Sequence, residues 1–249
     1  MRRQDVSGLK LGTKLKGSHA KVVEEIGLAI VSGEFPVGET LPRDPLLERR
    51  FDVSRSVLRE AMKTLSAKGL IIAKSRVGTR VTDKCHWDLL DEDVLRWHFE
   101  AGVTAEFINH LYDVRLLLEP AAAAAAVKHA TAEDCAALRQ YALLLDAPVS
   151  FDEQVEADLR FHIHLTLLGG NIFLDSMIGF IKAALEGALM ISLAPVLSDR
   201  RHNIVAAHLA IVEALEAGDA EAARAATHAV VEGGRSTALA GILRQPAAK

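Results

Sequence analysis

Two cysteines in 249 residues, Cys85 and Cys135, are too few for a disulfide framework and lack the short spacings of a cysteine metal site. Both are read as reduced and unpaired, in different parts of the fold. No apolar run is long enough to span a membrane and nothing resembles a signal peptide, because charged residues interrupt the apolar ones throughout. The chain is therefore expected to be soluble and cytoplasmic, with no membrane partner. Internal repeats and low-complexity arrays are missing too. So are a His-Glu-x-x-His pattern, a nucleophile motif and an evident general base, which leaves a metal-dependent hydrolase a remote alternative and makes an enzyme unexpected. A dimeric scaffold whose first domain binds protein is a third possibility.

What is present is an uneven distribution of charge. The formal net charge is -4, but residues 1–82 hold sixteen Lys and Arg against nine Asp and Glu, while 83–249 hold thirteen against twenty-four. A basic first part is drawn to a phosphate backbone and an acidic remainder is repelled by it. The length leaves room for two such domains.

Residues 53–60, Val-Ser-Arg-Ser-Val-Leu-Arg-Glu, put two arginines and two hydroxyls at the start of a helix whose other side is apolar. Ser54 suits an N-cap, so Arg55, Ser56 and Arg59 fall in the first turns. Arg55 and Arg59 share a face by their i, i+4 spacing, while Val57, Leu58, Ala61, Met62 and Leu65 turn toward a core. This is the pattern of a DNA recognition helix; alone, it also fits a solvated arginine face. The context favours the first reading. A helix over His19–Ser32 and another over Asp44–Arg50 precede it, separated by Gly38 and Pro42, and Phe51-Asp52-Val53 forms the turn. Gly69 stops the recognition helix, and Leu70-Ile71-Ile72 and Arg80-Val81-Thr82 read as two short strands around Lys74–Thr79. The result is a winged helix-turn-helix over 19–82, preceded by a mobile arm, 1–18. Arg76, at the Gly-bearing tip, is placed to reach a minor groove, with a solubilising charged hairpin as the alternative.

From Asp88 onward the apolar spacing is helical, with almost no β-rich segment. Helices are expected near 88–101, 104–129, 131–145, 150–168, 171–196, 199–217 and 219–240, with Pro195 ending or kinking one of them. The fold class is mainly α: an N-terminal winged helix-turn-helix and a C-terminal all-α helical bundle over 88–241, joined by a linker at 83–87.

Several motifs now carry a resemblance. Phe35-Pro36-Val37-Gly38 with Leu41-Pro42, then Val53-Ser54-Arg55 through Arg59-Glu60-Ala61, then Gly69-Leu70 before Gly78-Thr79, lie in the first part. Asp113-Val114-Arg115 with Glu119, Asp158-Leu159-Arg160-Phe161-His162, Gly170-Asn171, and His208 before Asp219 lie in the second. Taken in order, they resemble a GntR-family transcription regulator of the FadR subfamily, with a winged helix and an all-helical FCD ligand-binding domain. The stretch Trp87–Trp97 is similar to galactonate-responsive and related regulators of sugar-acid catabolism, although its two tryptophans equally suit plain packing. The resemblance implies a homodimer on a near-palindromic operator, a repressor released by a small carboxylate or sugar-acid effector, with Arg43, Ser54, Arg55, Ser56, Arg59, Arg76 and Gly78 at the DNA. Arg43-Asp44-Pro45 departs from the family pattern, which bears on operator sequence.

Asp158 and His162 stand i, i+4 on one helix, and His208 can approach from another. Oxygen and imidazole donors suit zinc, nickel or manganese. Metal-holding FCD domains add a second histidine on the last helix, where this chain aligns Val230; His228 lies two residues earlier, roughly 200° around the helix. Two readings stand: a three-ligand divalent metal site, or polar residues that touch the effector directly or through water. Arg115 is the candidate for the effector carboxylate, through a bidentate pair, with an ion pair to Glu119 as the alternative. Asn171 offers a hydrogen bond to an effector hydroxyl, or merely caps a helix.

Overall fold

Val22, Val23, Ile26 and Ile30 recur at helical spacing and are buried along α1, Ser18–Val31. They meet Leu58, Ala61 and Leu65 of α3, Arg55–Ala67, in one apolar core. The computed structural model describes residues 17–74, 77–147, 150–191 and 198–244. Among these, α2 spans Asp44–Phe51, with Pro45 in its first turn, where a missing N–H costs nothing. It ends at Asp52, whose φ of 51° is the left-handed conformation that reverses the chain into α3. Beyond α3, β1 (Ile71–Lys74) pairs antiparallel with β2 (Gly78–Val81) in the register Ile71 to Val81, and Thr40 bridges to Arg80. The order helix, helix, helix, hairpin is a winged helix-turn-helix.

The chain divides into two compact units, and the first runs through Gly102. This differs from the sequence reading, which gave 83–87 to a linker and 88–101 to the second domain. A 3-10 turn at Lys84–His86 folds back on the end of α3: Asp88 N–H donates to Lys68 O at 3.1 Å, and a Cβ on Gly69 would lie 1.9 Å from the carbonyl oxygen of His86. α4, Glu92–Ala101, then packs on α1, its Asp91 cap accepting from Asp93 and Val94 N–H. Trp87 and Trp97 are buried in the same core as Ile26 and Leu58. The physical reason is close approach, since Gly27 leaves room for the Trp97 ring where a Cβ would sit 2.4 Å from it. Around it, Arg96 pairs with Glu24 (2.5 Å) and Asp93 (3.1 Å), and Lys68 with Asp91 at 2.6 Å.

The second unit, from Val103, is entirely helical among its described residues: α5 (Ala105–Ala126), α6 (Ala132–Leu144), α7 (Phe151–Leu168), α8 (Ile172–Asp175), α9 (Ile178–Ile191), α10 (Ser198–Ala217) and α11 (Ala220–Arg244). Thr131 and Ser150 open α6 and α7 with capping boxes closed by Asp134 and Glu153. α5 lies along α11 and α7, and α10 against α6 and α11. Ala123 and Ala126 lie in a core with Leu138, Phe161, Leu165, Ile211 and Val212, so the alanine run lets helices approach closely as well as favouring helix. The helix expected over 171–196 is two helices, parted at Ser176–Met177; Pro195 lies outside the described residues. No described helix is long and apolar enough to cross a membrane.

Candidate functional site

Among the described residues, chemistry gathers on an exposed helix face in the first unit and in a buried cluster in the second. In the first, Ser54 caps α3 by accepting from Val57 N–H at 3.4 Å, and its hydroxyl lies 2.9 Å from that of Ser56. Arg55, Ser56 and Arg59 are exposed together on the opening turns, while Leu58, Ala61 and Leu65 face inward. Arg59 touches Glu60 at 3.9 Å but its side chain remains 73% exposed, a pairing too weak to withhold it from another anion. Arg43 is exposed just before α2. Gly78 takes a φ of 112°, so the wing turns where an L side chain would be strained. Arg76 lies outside the described residues. Arg50, which the spacing does not separate from its neighbours, is structural: it pairs with Glu34 at 2.9 Å and stacks against Phe35 and Phe51.

In the second unit, α5, α7 and α10 bring charged side chains into an apolar interior. Arg115 and Glu119 are each 2% exposed, and Arg115 Nε donates to Glu119 Oε1 at 2.6 Å. The other oxygen, Oε2, lies 2.6 Å from His162 Nδ1, without the alignment of a full hydrogen bond. One turn before His162, Asp158 Oδ1 lies 4.0 Å from His162 Nε2 and 3.3 Å from His208 Nε2. The sequence-selected trio Asp158, His162 and His208 therefore converges, with donor atoms within 4.8 Å of one another.

Electrostatics follows from this crowding. Burial alone would raise the carboxyl of Glu119, but the charges of Arg115 and His162 outweigh it and hold the group at about 2. Burial likewise opposes the charge of Asp158, yet His208 and His162 keep its carboxyl below the usual range. For His162 burial favours the neutral ring, and Glu119 and Asp158 more than reverse that, raising it. Arg115, stacked 4.7 Å from the Tyr112 ring, stays charged.

The donors fit a divalent cation for a reason visible in the hydrogen bonds. His208 Nδ1 is 2.8 Å from the carbonyl of Ile204, which can only accept, so Nδ1 carries the proton. Its Nε2 is buried without a hydrogen-bond partner while facing the Asp158 carboxylate. A lone pair turned on a carboxylate is repulsive unless a second proton or a cation lies between them. In the metal-holding state both rings would be neutral, so that two carboxylates outnumber the one guanidinium and a divalent ion would leave the cluster one positive charge, suited to an anionic ligand.

The remaining sequence candidates fall elsewhere. Asn171 is exposed and accepts from Phe173 N–H at 3.0 Å, capping α8, so it is not among the buried polar residues. Arg115 is paired with Glu119, one helical turn on, as the i, i+4 spacing allows. His228 is exposed and Val230 packs beside the core, so α11 offers no imidazole from these two positions. Glu119 as the bridge between Arg115 and His162 was not read from the sequence; the available signal was a lone carboxylate ahead of the apolar run at 120–126.

Residues 19–81 match the family of bacterial regulatory proteins, gntR family, and 110–233 match the FCD domain. YieP of Escherichia coli (strain K12), an uncharacterized HTH-type transcriptional regulator, is 34% identical over 158 residues, covering 62% of this chain and 69% of YieP. The galactonate operon transcriptional repressor of the same organism is 35% identical over 146 residues, covering 57% of this chain and 62% of the repressor, less than two thirds of its length. Among solved structures, that of Lar, which controls the expression of the Listeria monocytogenes agr system, has a TM-score of 0.61 at 21% identity, covering 91% of this chain and 98% of Lar. The last of these speaks for the fold alone.

Proposed function

The chain belongs to the GntR family of bacterial regulatory proteins, with an FCD domain after its winged helix, and from that premise we propose that it is a sugar-acid-responsive repressor acting as a homodimer. It is a DNA-binding transcriptional regulator and not an enzyme. The exposed row Arg55, Ser56, Arg59 is assigned to base edges and phosphates of one operator half-site, and Ser54, Arg43 and Gly78 are assigned to the same interface, as is Arg76 on its place in the sequence. Arg55→Ala and Arg59→Ala should each weaken operator binding by about 1–3 kcal/mol, roughly 5- to 150-fold, in a fluorescence anisotropy titration. Wild-type affinity in both proteins would sink the assignment.

The observation that carries the effector reading is the buried Arg115 beside the Asp158, His162 and His208 donors, in a chain similar to a galactonate operon repressor. Arg115 would hold the effector's carboxylate through the guanidinium donors that Glu119 does not occupy. Asp158, His162 and His208 would hold zinc, nickel or manganese, which would supply a Lewis-acidic centre for a carboxylate or hydroxyl oxygen. Effector in this unit can weaken operator affinity only by favouring a state of the dimer that fits the two half-sites less well. The test is a thermal-shift screen against galactonate, related sugar acids and other small carboxylates, with and without added divalent metal. A metal-dependent rise in melting temperature with a sugar acid is expected. A rise only with other organic acids would overturn the sugar-acid class.

A further inference from the structure

Both histidines of the trio must turn the same ring nitrogen toward Asp158, and they are held by different means. His208 is fixed from its own helix, by the carbonyl of Ile204 four residues back. For His162 the anchor comes from a different helix: Nδ1 faces Glu119 Oε2 on α5 at 2.6 Å. We infer that Glu119 is a positioning residue for the metal ligand His162, holding its Nδ1 proton so that Nε2 is the atom presented to the site shared with Asp158 and His208.

Contact at 2.6 Å between a carboxylate oxygen and an imine lone pair would be repulsive, so the proton has to sit on Nδ1. Glu119 plays the accepting part, because its other oxygen, Oε1, already accepts from Arg115 Nε at 2.6 Å in a buried carboxylate–guanidinium pair. One carboxylate thus ties the arginine assigned to the effector to the imidazole assigned to the metal, one oxygen to each. A carboxylate behind a metal-bound histidine sets tautomer and ring orientation and makes the ligand nitrogen more basic. The inference rests on the metal reading above but is independent of which anion Arg115 takes.

The test uses zinc alone, with affinity read by competition against a chromophoric chelator and folding followed by circular dichroism. Arg115→Met serves as background, so that no guanidinium is left buried without its partner. On it, Glu119→Gln keeps an oxygen that accepts from Nδ1, and Glu119→Leu does not. The Gln protein should bind zinc like the background, and the Leu protein about 10–100-fold more weakly. Equal affinities overturn the inference, since a mere counter-ion to Arg115 would be lost alike in both. As a measurement free of substitutions, nitrogen-15 NMR of the zinc-loaded wild type should find His162 protonated at Nδ1 and coordinated at Nε2; coordination through Nδ1 overturns the inference whatever the variants do. A wild-type chain that takes up no zinc overturns the metal reading and this inference together. Zinc uptake with no response to any sugar acid overturns the effector assignment alone.

Discussion

Asp134 shows how one carboxylate serves two contacts. It closes the capping box of α6 by accepting from Thr131 N–H at 2.9 Å, and it faces His164 Nε2 on α7 at 3.2 Å. Burial opposes its charge, but Thr131 and His164 together hold the carboxyl below its ordinary range. A lowered folded-state value means that this stabilisation is complete above the unfolded value, about 3.9, and is lost as pH falls through the folded one. Asp134→Asn should therefore cost about 1 kcal/mol at neutral pH in urea unfolding, a typical cap contribution. The difference from wild type should shrink as pH falls below 4; a difference independent of pH would show that the charge contributes nothing. The buried Arg115–Glu119 pair predicts a larger effect. Glu119→Gln alone leaves a guanidinium 2% exposed without its counter-charge, a loss of about 3–5 kcal/mol. Arg115→Met together with Glu119→Gln should lose less than Glu119→Gln alone, as urea midpoints would show. Asp158 and His162 were legible as a pair because i, i+4 spacing on a helix is a local property. Their approach to His208, and the reach of Glu119 between Arg115 and His162, depend on how α5, α7 and α10 pack.

At the scale of elements, most helices announced themselves through apolar periodicity and caps: α1, α3 and α5 begin within a residue or two of their expected starts. Where the reading departed from the structure, the cause was partnership. Nothing local tells whether α4 packs forward or backward along the chain, and that choice is made by Gly27, whose bare Cα admits the Trp97 ring. Gly27→Ala should force the two helices apart or push the indole off its rotamer, costing about 1–3 kcal/mol. Unfolding followed by tryptophan fluorescence reads this directly, because Trp87 and Trp97 are the chain's two tryptophans and both lie in that core. An unchanged midpoint would mean that the α1–α4 contact yields without cost. The helix expected over 171–196 failed differently. Its apolar residues continue across Ser176–Met177, so periodicity alone could not detect the break between α8 and α9.

For the molecule as a whole, charge is apportioned so that a basic first part precedes an acidic remainder, and the average of -4 conceals both. Operator affinity should therefore fall linearly on a plot of log affinity against log salt. An arginine that contacts only phosphate should, when replaced by alanine, lower that slope by about one. Anisotropy titrations at several salt concentrations, with the Arg55 and Arg59 variants alongside, separate backbone contacts from base contacts; a slope near zero would contradict the electrostatic reading of the first unit. Local rules, acting over one or two helical turns, sufficed for the sequence by itself to determine a mainly helical chain and a capped arginine-bearing helix between a turn and a hairpin, and the resemblance of its ordered motifs pointed to the family. Only the tertiary structure decided that α4 closes the first unit and that Glu119 stands between Arg115 and His162. Those outcomes depend on which surfaces exclude water together, and contacts between residues distant along the chain leave no period in the sequence that encodes them.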